Sequence, residues 1–314
     1  MKANVAQTSS VRNTPPPNVS VVIPCYNYAH YVTEAVTSVL NQTYQDFEII
    51  IVDPISTDET PEVCRAFLER FADKRLTVIR QENMGMPAIS RNLGIERAQG
   101  KYILCLDADD KISDNYIFES VKLLESNKQY SICYSNLKHF GQLDSYLEHK
   151  EYDNRCILRM NYIPVASVFS KKCWEDAGGY RTNVTGYEDW DLWINSYSKG
   201  HFHRYSPESI FYYRKHSESM LADCGKKDRI HKANIILNNS KIFTEIQIKW
   251  AESVIGKTKS QIGHYDPGLG LIPLTQELII NNKQLLEREQ SEYLNKIVTR
   301  TTMMIPVPSS SISL

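Results

Sequence analysis

The chain has 314 residues, 42% of them hydrophobic and 23% charged, enough for one large domain with its own core. That composition excludes disordered, collagen-like and coiled-coil chains. With 36 Lys and Arg against 37 Asp and Glu, the net charge of −1 gives no overall drive towards nucleic acid or an anionic membrane, so partners have to be inferred from local sites.

In chain order, residues 1–18 end in Pro15-Pro16-Pro17 and contain no apolar h-region, so they read as a flexible leader and not as a signal peptide. From Val19 onward, apolar runs alternate with helical spacing, the pattern of an α/β domain with a mostly parallel sheet flanked by helices. Val19 to Ile23 is a strand halted by Pro24. Val32, Ala35, Val36, Val39 and Leu40 recur at helical spacing, and Phe47 to Val52 returns as a second strand ending at Asp53. A helix is expected from Thr60-Pro61, with Thr60 as cap and Val63, Cys64, Phe67, Leu68 and Phe71 facing inward. Leu76 to Ile79 is a short strand, and Ala88 to Ala98 a helix closed by Gly100. Tyr102 to Leu106 is a buried strand that runs directly into Asp107-Ala108-Asp109-Asp110. Further strands are expected at Ser131–Ser135, Val165–Ser170 and Ile210–Tyr213, and a helix from Glu188 to Ser198.

Beyond His216 the alternation stops. Ile230, Ala233 and Leu237, then Ile242, Ile246, Trp250 and Val254, mark amphipathic helices whose faces can pack on the main domain, on a second subunit or on a membrane surface. The organisation is therefore a leader (1–18), a main domain (19–220) and a helical extension (221–314) with a frayed tail through Pro306 to Ser311. No apolar run reaches the ~20 residues that span a bilayer. The seven cysteines are widely scattered, lack a C-x-x-C pair, and read as small buried hydrophobes of a reducing compartment. The cytoplasm, with peripheral membrane contact through the extension left open, is the expected location, and Asn183-Val184-Thr185 is read as a chance sequon.

Carboxylates in a row at the end of a buried strand repel one another and lose hydration. A divalent cation relieves both, and hard cations such as Mg²⁺ or Mn²⁺ leave coordination places open for phosphate oxygens, so Asp107, Asp109 and Asp110 read as a seat for metal and diphosphate. The ordinary alternative is a solvated turn. Position after a buried strand strengthens the first reading and leaves both open, because α/β ligand sites sit at strand carboxyl ends. Two other patterns carry nothing: Gly94 to Lys101 is one residue too long for a phosphate loop and is followed by Tyr102, and Gly268-Leu269-Gly270 lacks a third glycine and a preceding strand.

Taken together, Val19 to Asn27, Gln42-Thr43-Tyr44, Ile51-Val52-Asp53 with Ser56-Thr57-Asp58, Arg91-Asn92-x-Gly94, Ala98-x-Gly100-x-Tyr102, Leu106 to Asp110 and Glu188-Asp189 resemble the inverting family 2 glycosyltransferases of GT-A type fold. The order and spacing of these pieces over residues 19–220 carry the resemblance. It implies metal-dependent transfer of one sugar from a nucleoside-diphosphate sugar, most simply a UDP-sugar, to an acceptor hydroxyl in surface glycan or polysaccharide biosynthesis. It divides the domain into a donor-binding half (19–115) and an acceptor half (116–220).

The same resemblance assigns roles. Pro24, Tyr26 and Asp53 cradle the nucleoside; Arg91 holds phosphate by charge-assisted bonds, against the alternative of an exposed helix charge. Asp107 and Asp109 seat ribose and metal, and Asp109, Asp110 and His216 are the metal ligands for Mn²⁺ or Mg²⁺. Asp189 is the catalytic base and Glu188 orients the acceptor, against the alternative that both acids merely favour a helix amino terminus. Trp174, Trp190 and Trp193 are either sugar platforms or core. The acceptor is a glycan, a lipid-linked intermediate, a protein or a small molecule, and a homodimer through the C-terminal helices is open. Q-x-x-R-W is absent, which points to non-processive transfer.

One departure stands out. Where the family reads D-D-G-S, this chain has Asp53-Pro54-Ile55-Ser56. Pro54 supplies no acceptor for the nucleobase, and Ile55 resists the positive φ that Gly allows, so a loop of different shape is expected. Losing a hydrogen bond to a charged group costs roughly 1.5–3 kcal/mol. A catalytically silent nucleotide- or glycan-binding protein is therefore the competing class, and a nucleotidyltransferase a third.

Overall fold

The computed structural model describes residues 15–71, 75–82, 86–216 and 227–256. Most of the expected leader, Cys224, the Gly268-Leu269-Gly270 segment and the tail at Pro306 to Ser311 lie outside the described residues.

Four parallel strands form the first half of the sheet: β1 (Val19–Pro24), β2 (Phe47–Asp53), β3 (Leu76–Arg80) and β4 (Tyr102–Cys105), in the order β3-β2-β1-β4. Between them run α1 (Ala29–Leu40), α2 (Thr60–Arg70) and α3 (Pro87–Arg97). Every residue of β2 is buried, as expected of a strand covered on both faces, and alternate residues serve opposite sides. Val21, Ile23, Ile49 and Ile51 pack with Val32, Ala35, Val36 and Val39 of α1, while Val22, Ile50 and Val52 pack with Ala88 and Ile95 of α3.

The expected parallel sheet holds for those four strands. Beyond β4 the sheet is mixed. β5 (Lys111–Ile112), α4 (Tyr116–Ser126), β6 (Tyr130–Gly141), β7 (Ser145–Leu147), β8 (Val168–Ser170), α5 (Lys171–Ala177), α6 (Glu188–Ser198) and β9 (Phe202–Lys215) follow in the chain. β8 pairs antiparallel with β4 and β6, β6 runs parallel to β9, and β5 is antiparallel to β9. Strands β6 and β9 are much longer than the apolar runs that mark them, because their outer ends carry half-exposed residues such as Lys138, His139, Tyr212 and Lys215.

Two local expectations are corrected. Thr60 does not cap α2 with its side chain; Asp58 Oδ1 accepts from Thr60 N at 3.0 Å, and the Thr60 hydroxyl accepts instead from Tyr28 N. Gly100 does not close α3 through a left-handed turn. It is required because Ser20 lies against it: an added Cβ would stand 2.6 Å from the Ser20 backbone nitrogen, while Gly100 N donates to Ser20 Oγ at 2.8 Å.

Two further helices, α7 (Asp228–Asn238) and α8 (Glu245–Val254), lie on the main domain. Ala233, Ile235 and Ile236 of α7 and Ile246, Trp250 and Ala251 of α8 belong to the same core as Trp190, Trp193 and Ile163. Asp191 on α6 binds Arg181, Asn238 and Asn239, which fastens α7 to that core. Among the described residues no helix is long and apolar enough to cross a membrane.

Candidate active site

Because β1, β2 and β4 are adjacent and parallel, their carboxyl ends open onto one edge of the sheet. A cavity of about 370 Å³ lies there. One wall carries Pro24, Tyr26, Pro54, Arg91, Asp107 and Asp109; the other carries Asn161, Pro164, Tyr187, Glu188 and Asp189. Seven of the residues expected to form the site thus share one cavity, although the two acidic segments are separated by some eighty residues in the chain.

The loops after β1 and β2 are laced together. Asn27 N donates to Ser56 Oγ, Thr57 N to Asn27 Oδ1, Tyr28 N to Thr60 Oγ1 and Ala29 N to Asp58 Oδ2. Ile55 nevertheless has φ of +55°, so the expectation of a loop reshaped to avoid the left-handed region is corrected: the loop keeps that turn and places a β-branched residue in it. Asp53, expected to touch the nucleoside, has both oxygens engaged. Oδ1 accepts from Ser56 N at 2.8 Å and Oδ2 pairs with Arg80 at 3.0 Å. Pro54, not Asp53, lines the cavity.

Arg91 is not an exposed helix charge. Its side chain is 4% exposed, with one guanidinium nitrogen 2.7 Å from Asp107 Oδ1 and the other 2.6 Å from Glu188 Oε1. Its plane lies over the Tyr180 ring, 5.7 Å from the centroid. An ion triad this deep holds only while its partners are matched, since removing one member of a buried pair costs about 3–5 kcal/mol. The second Glu188 oxygen accepts from Gly186 N, so this carboxylate is fully occupied by the protein.

Asp189 differs from its neighbour. It is half-buried, and its Oδ1 accepts from Trp190 N at 2.7 Å and, weakly, from Asn161 Nδ2 at 3.4 Å. Burial first, then the adjacent Glu188 charge, push its carboxyl up to about 7. An acid at that value exchanges a proton near neutrality.

At the other end of the cavity Asp109 Oδ2 lies 2.8 Å from His216 Nε2, and the ring is packed edge-on against Tyr28 and tilted against Tyr31. Burial and the neighbouring Asp107 raise the Asp109 carboxyl. His216 Nδ1 is buried without a partner. A carboxylate held up by a like charge, beside an imidazole with an orphaned nitrogen, fits a divalent cation. Asp110 faces elsewhere: its Oδ1 accepts from Arg214 N of β9, its Oδ2 is buried without a partner, and burial drives its carboxyl well above the usual range. Of the three expected ligands, then, Asp109 lines the cavity with His216 bonded to it, and Asp110 turns away towards β9. Among the described residues no group of three His, Cys, Asp or Glu is arranged to hold a metal ion.

The tryptophans are core, not platforms. Trp190 and Trp193 are buried and donate to Ile157 O and Ile163 O, and Trp174 donates to Asn92 Oδ1. Asn161 and Pro164 come from a loop without a motif and carry no signal in the sequence, whereas Tyr187 and Tyr213 stand in the segments that hold Glu188-Asp189 and His216, with no role of their own read there. Tyr187 is oriented from α7, its hydroxyl 2.8 Å from Asp228 Oδ1.

This architecture is the GT-A fold. The family described as Glycosyl transferase family 2 matches residues 20–186, just over half of the chain. The chain belongs to that family. It is 40% identical over 126 residues to glycosyltransferase GlyG of Streptococcus pneumoniae, covering 40% of this chain and 41% of GlyG. It is 30% identical over 224 residues to the Escherichia coli UDP-Glc:α-D-GlcNAc-diphosphoundecaprenol β-1,3-glucosyltransferase WfaP, covering 69% of this chain and 85% of WfaP. The crystal structure of Staphylococcus aureus TarS 1–349 in complex with UDP-GlcNAc superposes with a TM-score of 0.60 at 18% identity, over 86% of this chain and 81% of TarS 1–349. The chain spans less than half the length of the first curated relatives it matches.

Proposed function

We propose that this chain is an inverting, non-processive glycosyltransferase that moves one sugar from a UDP-sugar to an acceptor hydroxyl during assembly of a surface glycan. The observation that carries the reading is Asp189, a carboxyl pushed up to about 7 on the wall of a cavity whose opposite side is built from the strand-end acids Asp107 and Asp109. A base of that strength is matched to work near neutral pH. The bond between the acceptor oxygen and the anomeric carbon forms as the bond to the diphosphate breaks. The acceptor proton passes to Asp189, and the diphosphate leaves with the electron pair. One displacement inverts the anomeric centre.

Asp107, Asp109, Glu188 and Asp189 outnumber Arg91, the one cation in the described cavity wall, and Arg91 is already paired. A donor diphosphate therefore needs further positive charge. Mn²⁺ or Mg²⁺ held by Asp109 and His216 would supply it as a Lewis acid to the leaving group. A UDP-sugar donor, and a lipid-linked or glycan acceptor, are supported by what the names of WfaP and the TarS complex say of those proteins.

The alternative of a silent nucleotide-binding protein has one observation in its favour: Asp53 is fully engaged and Pro54 offers the base no acceptor. One experiment separates the two. Asp189→Asn is expected to lower sugar transfer ~10²–10⁴-fold while calorimetric binding of UDP with Mn²⁺ is unchanged. Unaltered transfer removes Asp189 as base, and UDP retention by the wild type with neither transfer nor donor hydrolysis establishes the silent binder.

A further inference from the structure

Arg91 hydrogen-bonds to both acidic segments of the cavity. It reaches from α3 to Asp107 at the end of β4, 16 residues away, and to Glu188 at the start of α6, 97 residues away. Each terminal nitrogen directs one N–H to those contacts, the third nitrogen, Nε, is buried without a partner, and the side chain is only 4% exposed. A guanidinium arranged to clasp phosphate would present a free edge to the cavity; here the two bonded nitrogens face carboxylates. We infer that Arg91 is a positioning residue that sets the separation of the donor-side acids from the base and holds the charge environment of Asp189, and not a ligand of the donor phosphates. This inference rests on Asp189 acting as base.

The chemistry follows from what faces Asp189. Glu188 is its neighbour on α6, Tyr180 lies on the segment before it, Asn161 reaches it from the loop before β8, and Arg91 stands across from α3 with Asp107 behind it. Of these, Glu188 disfavours the ionised Asp189 and Arg91 favours it. The planar fork matters as well as the charge, since a lysine ammonium on a flexible stem cannot satisfy two carboxylates in fixed directions.

The test is the pH dependence of kcat, with KM for the donor measured alongside. In Arg91→Met the loss of positive charge moves the acid limb of kcat upward by about one pH unit, and kcat at neutral pH falls at least tenfold while donor KM changes less than threefold. Glu188→Gln, which leaves Arg91 paired with Asp107, moves the limb downward. Arg91→Lys leaves the limb in place and still lowers kcat. A rise in donor KM of tenfold or more with an unmoved limb makes Arg91 a phosphate ligand and overturns the inference, as does an unmoved limb with unchanged KM. If Arg91→Met does not fold, the opposite-sense shift in Glu188→Gln and the kcat loss in Arg91→Lys decide the question. A wild-type profile without an ionisation near neutrality, together with an active Asp189→Asn, refutes the base reading instead.

Discussion

The two halves of this domain, proposed to bind donor and acceptor, reach order by different means. From β1 to β4 the chain repeats one unit, a short apolar strand followed by a helix, and the loops after β1 and β2 satisfy each other's polar groups through Asn27, Ser56 and Thr57. From β5 to β9 the sheet is mixed and its core holds polar aromatics: Tyr134, Tyr162 and His203 stack within 5.5 Å of one another, and Tyr162 meets His203 Nε2 in a buried hydrogen bond. The first half is a repeated solution with few ways to vary. The second depends on residues distant in sequence, including α7 and α8, which complete its core from beyond the matched family region.

The largest expected effect tests that dependence. Trp250 on α8 is fully buried in the core that also holds Trp193 and Ile163. Trp250→Ala is expected to destabilise the whole domain by about 3–5 kcal/mol in a single denaturant transition. If the two helices are instead an independent appendage, the main transition of the variant coincides with that of the wild type, and the division of the molecule has to be redrawn at residue 216.

Legibility follows the same division. Strands β1, β2 and β4 are readable because each is a mostly apolar run stopped by Pro24, Asp53 or Asp107, and the strand-end position marks Asp107 and Asp109, whereas Pro24 and Tyr26 are placed in the site only by the family resemblance. Helices α4 and α5 were not anticipated. The buried face of α4 includes Tyr116 and Ser120, whose hydroxyls bind Ala166 O and Tyr116 O, and polar residues on an inner face blur an apolar period. Helix α5 has seven residues, too few to show one. The partners of a charge are less readable still. Nothing in the local sequence of Arg91 announces Glu188, and Asp110 is drawn away from Asp109 and His216 to β9 by a backbone bond that spacing does not encode.

The next effect sharpens the contrast through pH. Burial lowers His203 to about 4, against about 6.5 for the unfolded chain, and His149 and His231 are lowered in the same direction; all three lie in the second half or on α7, whereas His30, the one histidine described before Lys111, is exposed. Below pH 6.5 the unfolded chain takes up a proton that folded His203 resists, so its contribution is fully present above 6.5 and is lost as pH falls towards 4. The raised carboxyls of Asp110 and Asp189 act in the opposite sense, since the folded state binds protons there that the unfolded state releases. The His203 share is therefore read as a difference. Relative to wild type, His203→Phe is expected to remove about 3 kcal/mol of acid-induced stability loss between pH 6.5 and 4, whatever its constant cost from leaving the Tyr162 hydroxyl unpaired. Parallel stability curves for the two proteins would place the acid sensitivity elsewhere.

The smallest effect lies in the donor half and concerns Ile55. A left-handed backbone costs an L-residue with a branched Cβ about 1–2 kcal/mol, and Ile55 is 37% exposed, so little packing offsets it. Two things hold it there. Ile55 N donates to Asp53 O across Pro54, and the next residues are laced to the first loop by Ser56 and Thr57. The turn is thus imposed by its neighbours, and residue 55 only tolerates it, as expected of strain kept beside a binding site. Ile55→Asn, which accepts the left-handed region more readily, is expected to stabilise by about 0.5–1 kcal/mol and raise Tm by roughly 1–3 °C, with UDP affinity within twofold of wild type. Ile55→Val, still branched, should give no gain. A lower Tm in Ile55→Asn would mean that the isoleucine side chain itself shapes the loop, and the donor half would then rest on side-chain specificity as much as the acceptor half does.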